Sequence, residues 1–123
     1  MKLGPIIEII IYVKNMEAQV EFYRDTLGLS VSYPQDLENY ADEYWVTFDT
    51  GVCILALHGG GTQDFGKDAP KFVFQVDDVS ETRQALLAKN VPMGEIRSPA
   101  PGTFVCDGVD PEGNKFSLES RNQ

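Results

Sequence analysis

The stretch VKNMEAQVEFYRDTLGLSVSY, Val13–Tyr33, decides how this chain is read. Asn15 offers a side-chain acceptor for the free N–H groups that open a helix. Met16, Val20, Tyr23 and Leu27 then recur at spacings of four, three and four, which puts them on one helical face. Gly28 follows where a chain leaving a helix adopts a left-handed residue. Leu29, Val31 and Tyr33 alternate with Ser30 and Ser32, the pattern of a half-buried strand.

Before this stretch, Ile6 to Val13 is β-branched and apolar and reads as a buried strand. After it comes a polar loop, Pro34 to Glu43. Tyr44–Phe48 and Val52–Leu57 then read as two strands joined by a hairpin turn at Asp49, Thr50 and Gly51. The order is strand, helix, strand, strand, strand, and it recurs. Lys71–Val76 is a strand with Phe72, Phe74 and Val76 on one face. Asp78 and Glu81 fit a capping-box-like helix start, the helix runs to about Lys89, and Asn90 takes the place Gly28 held. Pro92–Ile96, Thr103–Asp107 and Lys115–Glu119 read as three strands, the last entered through the turn Asp110-Pro111-Glu112-Gly113-Asn114.

The two halves keep one register. Val13 and Val76 are 63 residues apart, and Gly28 and Asn90, like Gly51 and Gly113, are 62 apart. An offset held through five elements argues for duplication. The expected organisation is a single domain over 1–123: repeat one at 4–58, a flexible linker at 59–70, repeat two at 71–120. Gly59-Gly60-Gly61 is not followed by Lys-Ser/Thr and a helix, so it reads as connection rather than as a phosphate loop.

Composition narrows the function classes. The chain has 123 residues, 42% of them hydrophobic, enough for one packed core. Its net charge is −9 and its ten Lys and Arg are scattered, which argues against nucleic acid as a partner and against an anionic membrane surface. Nothing reads as a signal peptide or a membrane span, so a cytoplasmic protein is expected. Cys53 and Cys106 sit in apolar runs without C-x-x-C spacing and read as reduced core thiols.

Three segments together resemble the vicinal-oxygen-chelate superfamily of glyoxalases, bleomycin-resistance proteins and extradiol dioxygenases. They are Val13 with Phe22-Tyr23-Arg24-Asp25-Thr26-Leu27-Gly28-Leu29, then Phe74-Gln75-Val76-Asp77-Asp78-Val79, then Asp110-Pro111-Glu112-Gly113-Asn114 with Phe116 and Leu118. The resemblance implies an α+β fold, two βαβββ repeats forming a half-open cup of mixed sheet with helices outside. It also implies a small-molecule ligand in the cup and a homodimer. Metal-dependent members carry His or Glu at four inward strand positions, where a divalent ion acts as Lewis acid. Here those positions fall on Glu8, on Leu55 or Ala56, on Lys71 and on Ser117. One carboxylate cannot hold a catalytic metal, which needs about three protein ligands; His58 adds at most a second. No metal and no cofactor are therefore expected.

Alternation from these positions sends Ile6, Ile10, Tyr12, Val73, Gln75, Lys115 and Glu119 into the cup. Ile7, Ile9, Ile11 and Val13 are sent under the helix. The expected ligand-binding residues are Glu8, Tyr12, His58, Lys71, Gln75 and Ser117, with Glu8 the one candidate base. Glu8 and Lys71 are repeat mates and form either an ion pair in the cup or two solvated rim residues. Tyr12 is either an aromatic wall or packing. Trp45 is core, dimer interface or ligand wall. The Asp36, Glu38, Asp42 and Glu43 loop is solvated or a lid. Three functions stay open. The first is a metal-free binding or sequestering protein. The second is a metal-dependent lyase, isomerase or dioxygenase. The third is a metal-free enzyme with Glu8 as base.

Overall fold

The computed structural model describes residues 2, 6–62 and 71–121. It falls into two compact units, Met1–Asp64 and Phe65–Gln123. In the first, β1 (Glu8–Tyr12) leads to α1 (Met16–Glu21), a π-helical turn (Phe22–Thr26), β2 (Ser30–Tyr33), β3 (Trp45–Asp49) and β4 (Ile54–His58). The sheet order is β1-β4-β3-β2, with β1 parallel to β4 and the other pairs antiparallel. In the second unit, β5 (Phe72–Gln75) leads to α2 (Val79–Ala88), β6 (Arg97–Ala100), β7 (Thr103–Val109) and β8 (Lys115–Arg121). Its order, β5-β8-β7-β6, repeats the same mixed topology. The expected βαβββ duplication and α+β class are therefore present.

Local chemistry sets the element ends. The Asn15 side chain accepts from the Ala18 N–H at 3.1 Å, and Asp78 accepts from Glu81 at 3.0 Å. Gly28 (φ +78°) and Asn90 (φ +64°) both take the left-handed conformation at a helix exit, the region glycine and asparagine tolerate best. The first helix departs from the expected regular periodicity. Its last turn widens, with the Leu27 N–H bonding to the Phe22 carbonyl at 2.9 Å. The wider turn leaves Phe22 and Tyr23 both buried, packed edge to face at 5.0 Å.

Each helix covers one face of its own sheet. Under α1 lie Val13, Val46, Phe48, Leu55 and Leu57, all buried, with Tyr23 against Phe48. Under α2 lie Phe72, Cys106, Phe116 and Leu118. Burying each such side chain contributes about 1.5–3 kcal/mol. Gly108 is required here: a Cβ would stand 2.7 Å from both the Met93 sulfur and the Phe116 ring.

Three expectations need correction. Pro92–Ile96 is not a strand; only Met93 bridges to Gly108, and the edge strand begins at Arg97. Pro92 has no N–H for a ladder. Cys53 precedes β4 and is half-buried, so only Cys106 is a core thiol; both are free. Ile7 and Ile9 are exposed, and on the face sent under the helix burial is complete only at Val13. The acidic loop follows the solvated alternative, with Asp36, Glu38 and Asp42 exposed. Its Tyr40 is buried on the helix side, where its N–H donates to Glu17 of α1 and its hydroxyl donates to the Pro34 carbonyl at 2.8 Å. Within the expected linker, Gly59 donates to Tyr44 and Gly61 to Val13; residues 63–70 lie outside the described residues.

Candidate functional site

The sheet face away from each helix carries the expected site residues. In the first unit it presents Glu8, Ile10 and Tyr12 from β1, and Ile54, Ala56 and His58 from β4. The ladder sets Glu8 beside Ile54, Ile10 beside Ala56 and Tyr12 beside His58. Ala56 shares the Glu8 face, whereas Leu55 packs under the helix.

His58 is surrounded by rings. Tyr12 lies 4.8 Å away, Tyr44 4.9 Å and Trp45 5.9 Å, centroid to centroid. The His58 Nδ1 lies 2.6 Å from the Gly59 carbonyl. A carbonyl only accepts, so Nδ1 is the donor in this contact. Tyr12 is half exposed, and Trp45 is neither core nor fully exposed. Tyr12 and His58 are thus brought together as an aromatic patch. Glu8 shares the face but sits four residues along the ladder from Tyr12, about 13 Å away at strand spacing. Glu8 and His58 therefore cannot share one metal ion.

In the second unit, Lys71, Val73 and Gln75 share a face with Lys115, Ser117 and Glu119 of β8 and with Val105, Asp107 and Val109 of β7. Its centre is Asp107, a residue the sequence reading did not select. The Lys71 ammonium is 3.1 Å from Asp107 Oδ1, and Ser117 donates to the same oxygen at 2.5 Å. Arg97 reaches across from β6, with one nitrogen 2.9 Å from Oδ2 and another 3.4 Å from Oδ1. Lys71 and Ser117 are thus brought together, and Asp107 joins them. Gln75 lies beside Glu119, which is held by Arg121 at 2.8 Å.

The electrostatics follow from these contacts. Burial alone would raise the Asp107 carboxyl. Hydrogen bonds from Arg97, Ser117 and Lys71 outweigh that and hold it well below the usual carboxylate range. The same bond raises Arg97 further. Asp107 is therefore ionised at neutral pH and poorly suited to move protons. Cys106 points the other way, toward the Gly94 carbonyl under α2, and burial pushes its thiol up. It is not a thiol of this face.

These residues do not make a metal site. Ala56 offers a methyl, Lys71 an ammonium, and the Ser117 hydroxyl is committed to Asp107. Among the described residues there is no group of three or more His, Cys, Asp and Glu able to hold a metal ion. A cleft of roughly 260 Å³ beside the cluster is lined by Met93, Gly94, Asp107, Val109 and Lys115, among others.

Comparison with known proteins agrees with the topology. Residues 5–118 match the family model of the glyoxalase/bleomycin resistance protein/dioxygenase superfamily. The chain belongs to that superfamily. Among solved structures it resembles a lactoylglutathione lyase from Agrobacterium tumefaciens (TM-score 0.73, 22% identity, covering 98% of this chain and 96% of that one). It also resembles TnmS3, an antibiotic binding protein from Streptomyces sp. CB03234 (TM-score 0.77, 17% identity, 99% of each chain). A third is the fosfomycin resistance protein FosX from Listeria monocytogenes (TM-score 0.78, 15% identity, 98% and 96%). At such identities the likeness is one of fold. No curated protein sequence matches the chain.

Proposed function

We propose that this protein binds a small molecule on the open sheet faces without a catalytic metal, as a binding or sequestering member of its superfamily. One observation supports the reading: of the four positions where the family resemblance puts metal ligands, only Glu8 is a carboxylate, while Ala56, Lys71 and an Asp107-bound Ser117 fill the others. An ammonium 3.1 Å from a carboxylate already neutralises the charge that a metal would need. The half-exposed Tyr12, Tyr44 and Trp45 around His58 supply the apolar contact area that small-molecule sites favour. Glu8, Tyr12, His58, Lys71, Gln75 and Ser117 are the proposed ligand-binding residues, with Asp107 and Arg97 added. The antibiotic-binding neighbour supports binding as a use of this fold.

The reading includes a cytoplasmic homodimer. Among the described residues no helix is long and apolar enough to cross a membrane. Strand β1 is a sheet edge with exposed Ile7, Ile9 and Ile10, a surface that needs cover. Sedimentation should show a dimer, and a clean monomer at micromolar concentration would remove that part. The binding function is tested by screening small molecules for thermal stabilisation, in chelator and in added zinc. Stabilising compounds should work equally in both. Stabilisation seen only with the metal would overturn the reading.

A further inference from the structure

We propose that the second unit's open face is an oxyanion site, with Lys71 and Arg97 as its two arms and Asp107 as a built-in competitor that occupies them when no ligand is present. This rests on the reading of that face as a binding face and names its ligand class: a small molecule carrying a carboxylate or a phosphoryl group.

Charge count is the first argument. Lys71 and Arg97 bring two positive charges to one carboxylate, so the cluster keeps a surplus positive charge in a chain whose net charge is −9. On the same face, Glu119 is engaged by Arg121.

Donor count is the second. An ammonium has three N–H donors and a guanidinium five. Asp107 takes one from Lys71 and two from Arg97. Both cations face solvent, with 38% of the Lys71 side chain and 52% of the Arg97 side chain accessible. Spare donors on a planar guanidinium suit the paired oxygens of a carboxylate or phosphoryl group. Anchoring is the third. Asp107 is held from behind by Ser117, which is almost fully buried. The carboxylate can therefore yield its outer contacts to an incoming oxyanion while keeping the Ser117 bond.

The competitor role gives the proposal its test. Removing the Asp107 charge should tighten anion binding, whereas removing either cation should loosen it. Inorganic phosphate and acetate are the probes, titrated at constant ionic strength while the Arg97 side-chain and Ser117 backbone resonances are followed by NMR. Saturable shifts with either probe are expected, and the stronger probe identifies the phosphoryl or carboxylate source. Asp107→Asn should tighten the favoured probe about tenfold, and Lys71→Met and Arg97→Gln should each weaken it by about tenfold, the scale of one charge-assisted hydrogen bond. If Asp107→Asn does not fold, the two cation variants decide alone, since both positions are solvent-facing. Absence of saturable shifts with both probes would overturn the proposal, as would cation variants that bind like the parent. Small molecules that bind in chelator without moving Arg97 would overturn it while leaving the proposed function intact. Binding that needs metal would instead strike the proposed function.

Discussion

The two repeats are alike on their helix-covered faces and unlike on their open ones. Ala56 lies between Ile10 and Thr47 on the ladder, and Ser117 lies between Val73 and Asp107. These are equivalent places. In the first unit Thr47 shares a hydrogen bond with Ser32 at 2.8 Å, a neutral hydroxyl pair. In the second, Asp107 meets Arg97 at 2.9 Å, with Lys71 behind. The same cross-strand contact has become a polar seam in one half and a charge cluster in the other. The helix-covered faces stayed apolar in both, because each unit must bury that surface to fold. The open faces carry no such demand, and their residues differ.

Breaking the shared part should cost most. Phe48→Ala and Phe116→Ala remove fully buried rings from equivalent faces, and each should destabilise by about 3–5 kcal/mol. Urea unfolding would check this. A loss under about 1 kcal/mol in one unit only would mean that the two faces do not carry equal weight.

The divergent part should cost less and show a pH signature. The folded Asp107 carboxyl lies below its ordinary value. Its stabilisation is therefore present above about pH 4 and lost as pH falls toward the folded value. About a third of the side chain is exposed, and solvent screening holds the contribution to about 1 kcal/mol. Asp107→Asn should lose that amount at pH 7 and flatten the acid limb of the stability curve. Thr47→Val should cost about 1 kcal/mol for its hydrogen bond and leave the acid limb unchanged. Equal pH profiles for the two variants would erase the distinction between the repeats. The smallest effect is pairwise. A double-mutant cycle of Lys71→Met with Asp107→Asn should give a coupling of about 0.5–1 kcal/mol. Zero coupling would make the 3.1 Å contact energetically silent.

The fold was legible because its signals are local. Asn15 and Asp78 cap, Gly28 and Asn90 exit, and period-two alternation separates Phe72 and Phe74 from Val73 and Gln75. The site was only half legible, because its centre is set by cross-strand register. Lys71 and Ser117 were singled out because the family resemblance places ligand positions there, and Asp107 was not, since nothing in its own strand marks it. The turn Asp110–Asn114 held the missing information. Counting outward from the pair Val109 and Lys115 reaches Asp107 beside Ser117. Arg97 escaped because a strand was expected to end at Ile96, before it. Within its own unit Lys71 engages Asp107, a carboxylate that its repeat-mate relation to Glu8 did not indicate.

The central proposal is that the protein works without a bound metal, since Lys71 and Ser117 are engaged by Asp107 and Ala56 offers no ligand. Elemental analysis after purification without chelator and dialysis against zinc, nickel, iron and manganese tests it most directly. The account predicts far less than one equivalent of any of them per chain. One tightly held metal ion per chain, lost on Glu8→Gln, would contradict it.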